Sequence, residues 1–324
     1  MRVLVIGGSG FIGSRLIEVL IERGHEVTNF DLVASSSEEA MTVIGDVRDA
    51  KALTAVAADH DAIVHLAAEH RDDVSPASRY TEVNVDGSRA VIAAAEANGI
   101  DRIVFTSTVA VYGLDKNNAD EESTPEPFNE YGRTKLEAEQ LFRAWAEADP
   151  ERSLTIVRPS VVFGEGNRGN VYNLARQVHA RRFLMVGDGS NHKSMSYVGN
   201  IVEFLAGALE APAGITLINY ADKPDLSTRE LLAVLRAAMG IKHGGALRLP
   251  LWLGLAGGHA IDGVAKVTRR NFPVSAIRIR KFVADTTVNT ERLQATGYRP
   301  KHSLAEGIAR TIEAEFPAAE RVKK

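Results

Sequence analysis

Two clusters of residue types in this sequence are suited to chemistry: a phenol and an ammonium four residues apart, and a set of glycines between a strand and a helix. Tyr131-Gly132-Arg133-Thr134-Lys135 opens an apolar-periodic run that reaches about Ala148. At about 100° per residue, Tyr131, Lys135, Ala138, Leu141, Phe142 and Trp145 fall on one stripe. The apolar members dock the helix, and the docking aims the phenol and the ammonium inward. Upstream, Ile103-Val104-Phe105 reads as a strand running into Thr106-Ser107-Thr108. That places hydroxyls at a strand's C-terminal end, where doubly wound sheets bind ligands. Tyrosine is a poor base at an unperturbed pKa of ~10, and a neighbouring ammonium favours its phenolate; a drop of roughly 3 units corresponds to about 4 kcal/mol of charge stabilisation.

The elements that must position this pair begin at Val3. Val3–Ile6 is a β-branched apolar run, the signature of a strand buried on both faces. Gly7, Gly8, Gly10 and Gly13 follow it, and the amphipathic run Leu16, Ile17, Leu20 and Ile21 comes next. A strand-to-helix turn of this kind, with Phe11 and Ile12 in the first helical turn, aims free N–H groups and a positive helix end at a phosphate. The alternative is a tight structural turn. Asp31 closes a second strand, His25–Phe30, eighteen residues after Gly13. A dinucleotide fold puts the carboxylate that accepts from the adenosine ribose there, and it would repel the extra phosphate of NADP. A solvated strand-end acid is the plain alternative. Asp46, followed by Val47 after a third strand (Met41–Ile44), either accepts from the adenine amine or caps the helix starting near Ala50.

A fourth strand, Ala62–Leu66, ends in His65-Leu66-Ala67-Ala68. Small residues there let a flat ribose and its diphosphate lie against the backbone, and His65 reads as a packed core histidine. In the charged loop His70-Arg71-Asp72-Asp73, Arg71 either reaches a substrate phosphate or stays solvated. Asn84 sits among Val83, Val85 and Val91 in the helix Thr81–Asn98. A buried asparagine needs partners, so it ties backbone together or orders water near the cofactor. Asp115–Phe128 is long enough for a functional lid.

Bulk properties narrow the class. The 324 residues carry 45% hydrophobic and 25% charged side chains, ordinary for a globular protein. A formal charge of −4 gives no reason to expect nucleic acid or an anionic membrane as partner. With no cysteine, disulfides and thiolate chemistry are excluded. The chain opens on a core strand, with no room for a signal peptide, and its longest apolar stretch, around Leu249–Ile261, is too broken to span a bilayer. A cytoplasmic protein without a metal is expected.

The Gly7/Gly10/Gly13 turn, Asp31, Asp46-Val47, His65-Leu66-Ala67-Ala68, Asn84, Thr108…Tyr112-Gly113, Tyr131-x-x-x-Lys135 and Arg158-Pro159 together resemble the extended short-chain dehydrogenase/reductases, in their nucleotide-sugar epimerase/dehydratase group. The resemblance covers nearly the whole chain. It implies NAD as cofactor, held by these motifs including Arg158, and a catalytic set of Thr108, Tyr131 and Lys135. Tyr131 would take the proton of a sugar hydroxyl as hydride leaves for NAD, Thr108 would hold that oxygen, and Lys135 would bond the nicotinamide ribose. The positive nicotinamide would join Lys135 in favouring the phenolate. The dehydratases of this group carry an Asp-Glu pair after the threonine, and the decarboxylating members a glutamate; here Val109 and Ala110 stand instead. The resemblance therefore implies an epimerase of a nucleoside-diphosphate sugar, at C4 through a 4-keto intermediate, or a ketosugar reductase. A non-catalytic NAD-sensing protein is a third reading. It also implies a homodimer through the helices Thr81–Asn98 and Tyr131–Ala148.

The second half supplies the rest of the expected fold. Leu154–Val157 is a sixth strand, Val171–Ala180 a helix, Phe183–Val186 a strand, Ile201–Leu209 a helix and Ile215–Tyr220 a strand returning to the sheet. Ser227 caps a helix to Met239, with Glu230 three residues on. Val161 stands where many nucleotide-sugar epimerases have an asparagine that touches the diphosphate, and Lys193 where the family has an arginine. Lys193 and the basic group Arg278, Arg280 and Lys281 either grip substrate phosphates or form a solvated face. The whole reads as α/β: a doubly wound Rossmann-type parallel sheet over residues 1–165, with returning segments near 194–220 and 283–290, and a smaller C-terminal α/β substrate-binding region over 166–324.

Overall fold

A computed structural model describes residues 1–37, 39–71, 74–114, 116–241, 247–268 and 276–316. The strands, in chain order, are β1 (Arg2–Ile6), β2 (Glu26–Asp31), β3 (Met41–Ile44), β4 (Ala62–His65), β5 (Arg102–Thr106) and β6 (Ser153–Pro159). They are followed by β7 (Val161–Phe163), β8 (Leu184–Val186), β9 (His192–Tyr197), β10 (Gly214–Tyr220), β11 (Asp222–Ser227) and β12 (Leu247–Leu249). Seven of these form one sheet in the order β3-β2-β1-β4-β5-β6-β10, and every pairing in it is parallel. A parallel sheet must be covered on both faces, which is why β1, β4 and β6 are almost wholly buried and rich in apolar residues.

Helices supply the two covers. Phe11–Glu22 and Val198–Gly207 pack together over one face, with Leu16, Ile17, Leu20, Ile201 and Leu205 in the core. Gly87–Asn98 and Glu130–Glu147 cover the other, where Val91, Ala94, Ala138 and Phe142 meet Ile63, Ile103 and Phe105. The strand order turns back at β1 and β4, the place where such sheets open a crevice at their C-terminal ends. Beyond β6 the chain builds a small sheet, β11-β9-β7, and a two-stranded parallel pair, β12-β8. The helix Thr228–Ala238 begins with the full reciprocal Ser227–Glu230 capping box.

The expected elements are present, with two differences. The helix predicted over Thr81–Asn98 begins at Ser78 and passes through a π turn at Glu82–Asp86. Asp46 does not cap the helix Ala50–Val56; Asp49 does, accepting from Ala52 N at 3.0 Å, because Asp46 is already engaged by Arg48 at 2.7 Å. In the segment near 283–290, Val288 bridges to Ala119 and Thr286 to Lys193 in β9. Asp72, Asp73 and Asp115 of the two predicted loops lie outside the described residues. No helix among the described residues is long and apolar enough to cross a membrane.

Candidate active site

Asn129 starts the Tyr131 helix, its side chain accepting from Gly132 N at 2.9 Å. Gly132 is glycine for a reason of space: a Cβ there would come within 2.6 Å of Ala110 O. That close approach presses the helix N-terminus onto the 3-10 turn Val109–Tyr112, which Thr108 opens by accepting from Ala110 N. The result brings Tyr131 within hydrogen-bonding reach of the Thr108 hydroxyl. One turn on, Lys135 is buried, its Nζ 4.1 Å from the centre of the Phe105 ring. The stripe read from the sequence is thus the inward face, with Ala138, Phe142 and Trp145 all buried.

Without a cofactor, burial sets the electrostatics of the pair. Burial pushes the Tyr131 phenol up to about 12, and the Thr108 hydrogen bond only partly opposes it. Burial also pushes Lys135 down to about 7, against the upward pull of the Glu139 carboxylate. A phenol lowered by the ammonium alone is therefore not a property of the chain by itself; the expected drop counted the positive nicotinamide of bound NAD together with Lys135. The low-dielectric setting that brings the two groups together penalises both charges. A further positive charge at the crevice is needed to favour the phenolate.

Behind this pair lies a buried network that sequence reasoning missed. Ser107 Oγ donates to Glu139, and Arg158 grips the same carboxylate with Nε at 2.9 Å and Nη2 at 2.5 Å. Arg158 Nη1 donates to Tyr112 OH at 2.7 Å, and Tyr112 OH donates to Asn219 Oδ1 at 2.8 Å. The Arg158 side chain, expected to touch the cofactor, is thus spent inside the fold. The signal was present in the sequence: Glu139 follows Lys135 by four, on the apolar stripe. An acid on a buried face calls for a buried cation.

The glycine turn has the form expected of it. Gly7 has φ +84°, and a Cβ there would meet Ala67 N at 2.5 Å; one on Gly13 would meet Gly8 Cα at 2.5 Å. A Cβ on Gly10 would meet only Gly7 O at 3.4 Å, so that side is open. Gly10 is the N-cap of the helix Phe11–Glu22, with no side chain capping it. Phe11 and Ile12 therefore present first-turn N–H groups towards the opening. Asp31 is half-buried at the end of β2, accepting from Ser9 N at 2.9 Å with one oxygen. Leu66 N and Ala67 N both donate to Ile6 O, closing the backbone against β1 while Leu66, Ala67 and Ala68 stay half-exposed. A cradle that side chains would fill, an uncapped helix end and a strand-end carboxylate fit a dinucleotide.

The remaining sites sort by what they touch. Asn84 ties backbone together: its Oδ1 accepts from Glu69 N at 2.8 Å, and Nδ2 donates to Glu69 O and to Thr134 Oγ1 at 2.9 Å. Val47 is buried under Gly87. Asp46 is paired with Arg48, which holds its carboxyl below the usual range. His65 is stacked 5.5 Å from Phe105, and burial holds it neutral, down to about 3. Arg71 pairs with Glu69 at 3.2 Å. Lys193 Nζ donates to Ala284 O at 3.1 Å, and burial lowers it to about 8. Arg280 is exposed on the helix Ala276–Val283; the side chains of Arg278 and Lys281 lie outside the described residues. Among the described residues no three acids or histidines are grouped to hold a metal.

Comparison with known proteins adds the following. The model of the NAD dependent epimerase/dehydratase family matches residues 3–219. The chain is 47% identical over 322 residues to the N-acetyl-alpha-D-glucosaminyl-diphospho-ditrans,octacis-undecaprenol 4-epimerase of Escherichia coli O157:H7, covering 99% of this chain and 97% of that one. It is 32% identical to a 2-alkyl-3-oxoalkanoate reductase of Stenotrophomonas maltophilia, covering 96% and 98%. Its fold matches the UDP-glucose 4-epimerase of Thermus thermophilus in complex with NAD at a TM-score of 0.75 and 25% identity, covering 97% and 98%.

Proposed function

Since the chain belongs to the NAD dependent epimerase/dehydratase family, we propose that it is an NAD-dependent 4-epimerase of a sugar carried on a diphosphate. The observation that carries this reading is Tyr131 at the start of its helix with Lys135 one turn behind it against Phe105, and Thr108 following β5 in the same parallel sheet whose β1 leads into the glycine turn. The turn at Gly7, Gly10 and Gly13, Asp31 and Lys135 would hold the dinucleotide. Bound NAD supplies a hydride acceptor and a positive ring. Tyr131 takes the proton from the C4 hydroxyl and returns it to the ketone oxygen, and Thr108 holds that oxygen throughout. Val109 and Ala110, next to Thr108, offer no carboxylate for elimination, so the 4-keto sugar is reduced again on its other face. Activity lower by on the order of 10² to 10⁴ is expected for Tyr131→Phe, with cofactor binding kept. Unchanged turnover in that variant would overturn the assignment. Net NADH consumption would instead select the ketosugar reductase; the Stenotrophomonas relative is likewise a reductase, of a 2-alkyl-3-oxoalkanoate.

The carrier on the diphosphate has two readings. A nucleoside follows the family resemblance and the Thermus neighbour. A polyprenol follows the 47% identical relative. Val161 and Lys193 stand at positions that meet the diphosphate, which both carriers share, so they do not choose between them. Offering UDP-, GDP- and dTDP-sugars beside a polyprenyl-diphospho-sugar in detergent separates them. We further infer a homodimer through the helices Gly87–Asn98 and Glu130–Glu147, and a cytoplasmic location.

A further inference from the structure

We propose that the outer face of the helix Leu251–Thr268 seats this protein on an anionic lipid bilayer. Resting on the polyprenol reading above, this would bring the active site to the level of a lipid-linked diphosphate. The helix is packed by its glycines. A Cβ on Gly254 would meet Val186 at 2.6 Å, and one on Gly258 would meet Ala276 at 2.9 Å. Asp262 turns the same way, accepting from Ala276 N at 3.0 Å. The opposite face is left outward and carries no acid. Trp252 is 70% exposed and Leu253 42%, Ala256 and Ala260 continue the surface, and Leu251, at the start of the helix, is 39% exposed beside it. Leu184 of β8, the strand that pairs with β12 just ahead of this helix, is exposed as well.

Charge says what covers the face. From Leu247 to Val283 the sequence has seven lysines and arginines against one acid, Asp262, in a chain whose overall charge is −4. Arg248 and Arg280 are exposed at the two ends of this segment. Tryptophan and leucine flanked by arginine is the composition of a helix lying in a headgroup layer, where each cation adds to the attraction of anionic lipid. A second copy of this chain is disfavoured as occupant, because it would set two basic segments against each other. The other exposed apolar group, Leu32, Val33, Met41 and Ile44 by the β2–β3 edge, stands near Glu39 and Asp46 in the sequence and lacks this charge.

The face is joined to the site by short backbone links. The helix Ala276–Val283 runs into Ala284, whose carbonyl accepts from Lys193 Nζ, then to Thr286, which accepts from Ser194 N at 3.0 Å. Val288 bridges to Ala119, whose carbonyl accepts from Asn219 of the network behind Thr108.

The test is flotation of the full chain with phosphatidylglycerol/phosphatidylethanolamine vesicles and with phosphatidylcholine vesicles, read together with tryptophan emission. The chain has two tryptophans, and Trp145 is buried, so a blue shift reports Trp252. Flotation with the anionic vesicles, a blue shift, and weakening of both by salt are expected. The double variant Trp252→Glu/Leu253→Glu should bind on the order of tenfold less while keeping epimerisation in detergent. Failure of the natively folded protein to float, or equal flotation of the double variant, overturns the proposal. So does a dimer in solution that the double variant dissociates without either protein floating. A protein that floats but epimerises only water-soluble nucleotide sugars upholds the membrane contact and overturns the carrier reading.

Discussion

Lys135 is an amine placed where its charge is costly, with an aromatic face beside it and the carboxylate one turn along, Glu139, already gripped by Arg158. Its folded value near 7 lies below the unfolded ~10.4. Below pH 7 both states are protonated, and the folded state bears the full cost of the buried charge. Between about 7 and 10.4 the unfolded state holds more protons, so this cost fades as pH rises. Lys135→Met should therefore raise the stability of the cofactor-free protein most below pH 7, with the gain shrinking towards pH 10. Urea midpoints at pH 6 and pH 9.5 check this; an equal gain at both would refute the assigned cause. The same variant should lose activity, because the group that is expensive to bury is the one placed to favour a phenolate once a positive ring arrives. Burial alone leaves Tyr131 at about 12, so the chain by itself is not poised and the cofactor must complete the site.

The strand–turn–helix at the N-terminus separates two uses of glycine within four residues. Gly7 is held at φ +84° against Ala67 N, whereas Gly10 has open space before it. Gly7→Ala should cost about 2 kcal/mol or more of stability, from the strained backbone and the contact together. Gly10→Ala should leave the urea midpoint nearly unchanged and still weaken NAD binding, because its methyl enters the cradle. Calorimetric titration with NAD beside denaturation tests the pair, and comparable loss of stability in both would show that the turn is only structural. The Tyr131 helix follows the same logic: Gly132 permits the approach to Ala110, and the Asn129 cap sets where the helix begins.

At the scale of the whole molecule, the large sheet gathers residues from distant parts of the chain at one edge. Thr108 follows β5, Tyr131 comes by a helix from the next crossover, and Asp31 and the glycine turn come from β2 and β1. The small sheets and the helix Leu251–Thr268 are tied back to that edge by the 284–288 segment. A net charge of −4 averages over a strongly basic stretch of sequence, Leu247 to Val283, in which Arg248 and Arg280 are exposed, so bulk charge is a poor guide to what this surface meets. Solution scattering should give the mass of two chains if the helices Gly87–Asn98 and Glu130–Glu147 pair as inferred. A monomer mass would refute that pairing.

The sequence by itself determined the parallel sheet, the strands that build it and the inward stripe of the Tyr131 helix. Period, glycine spacing and β-branched runs are local properties, legible without coordinates. It could not decide the partners of buried charge. That Arg158 answers Glu139, that Asp46 belongs to Arg48, and that Lys193 turns to Ala284 depend on which side chains meet once the chain has folded. Nor could it give how strongly burial opposes the phenolate before NAD binds, since desolvation exists only once the fold has closed around the ring.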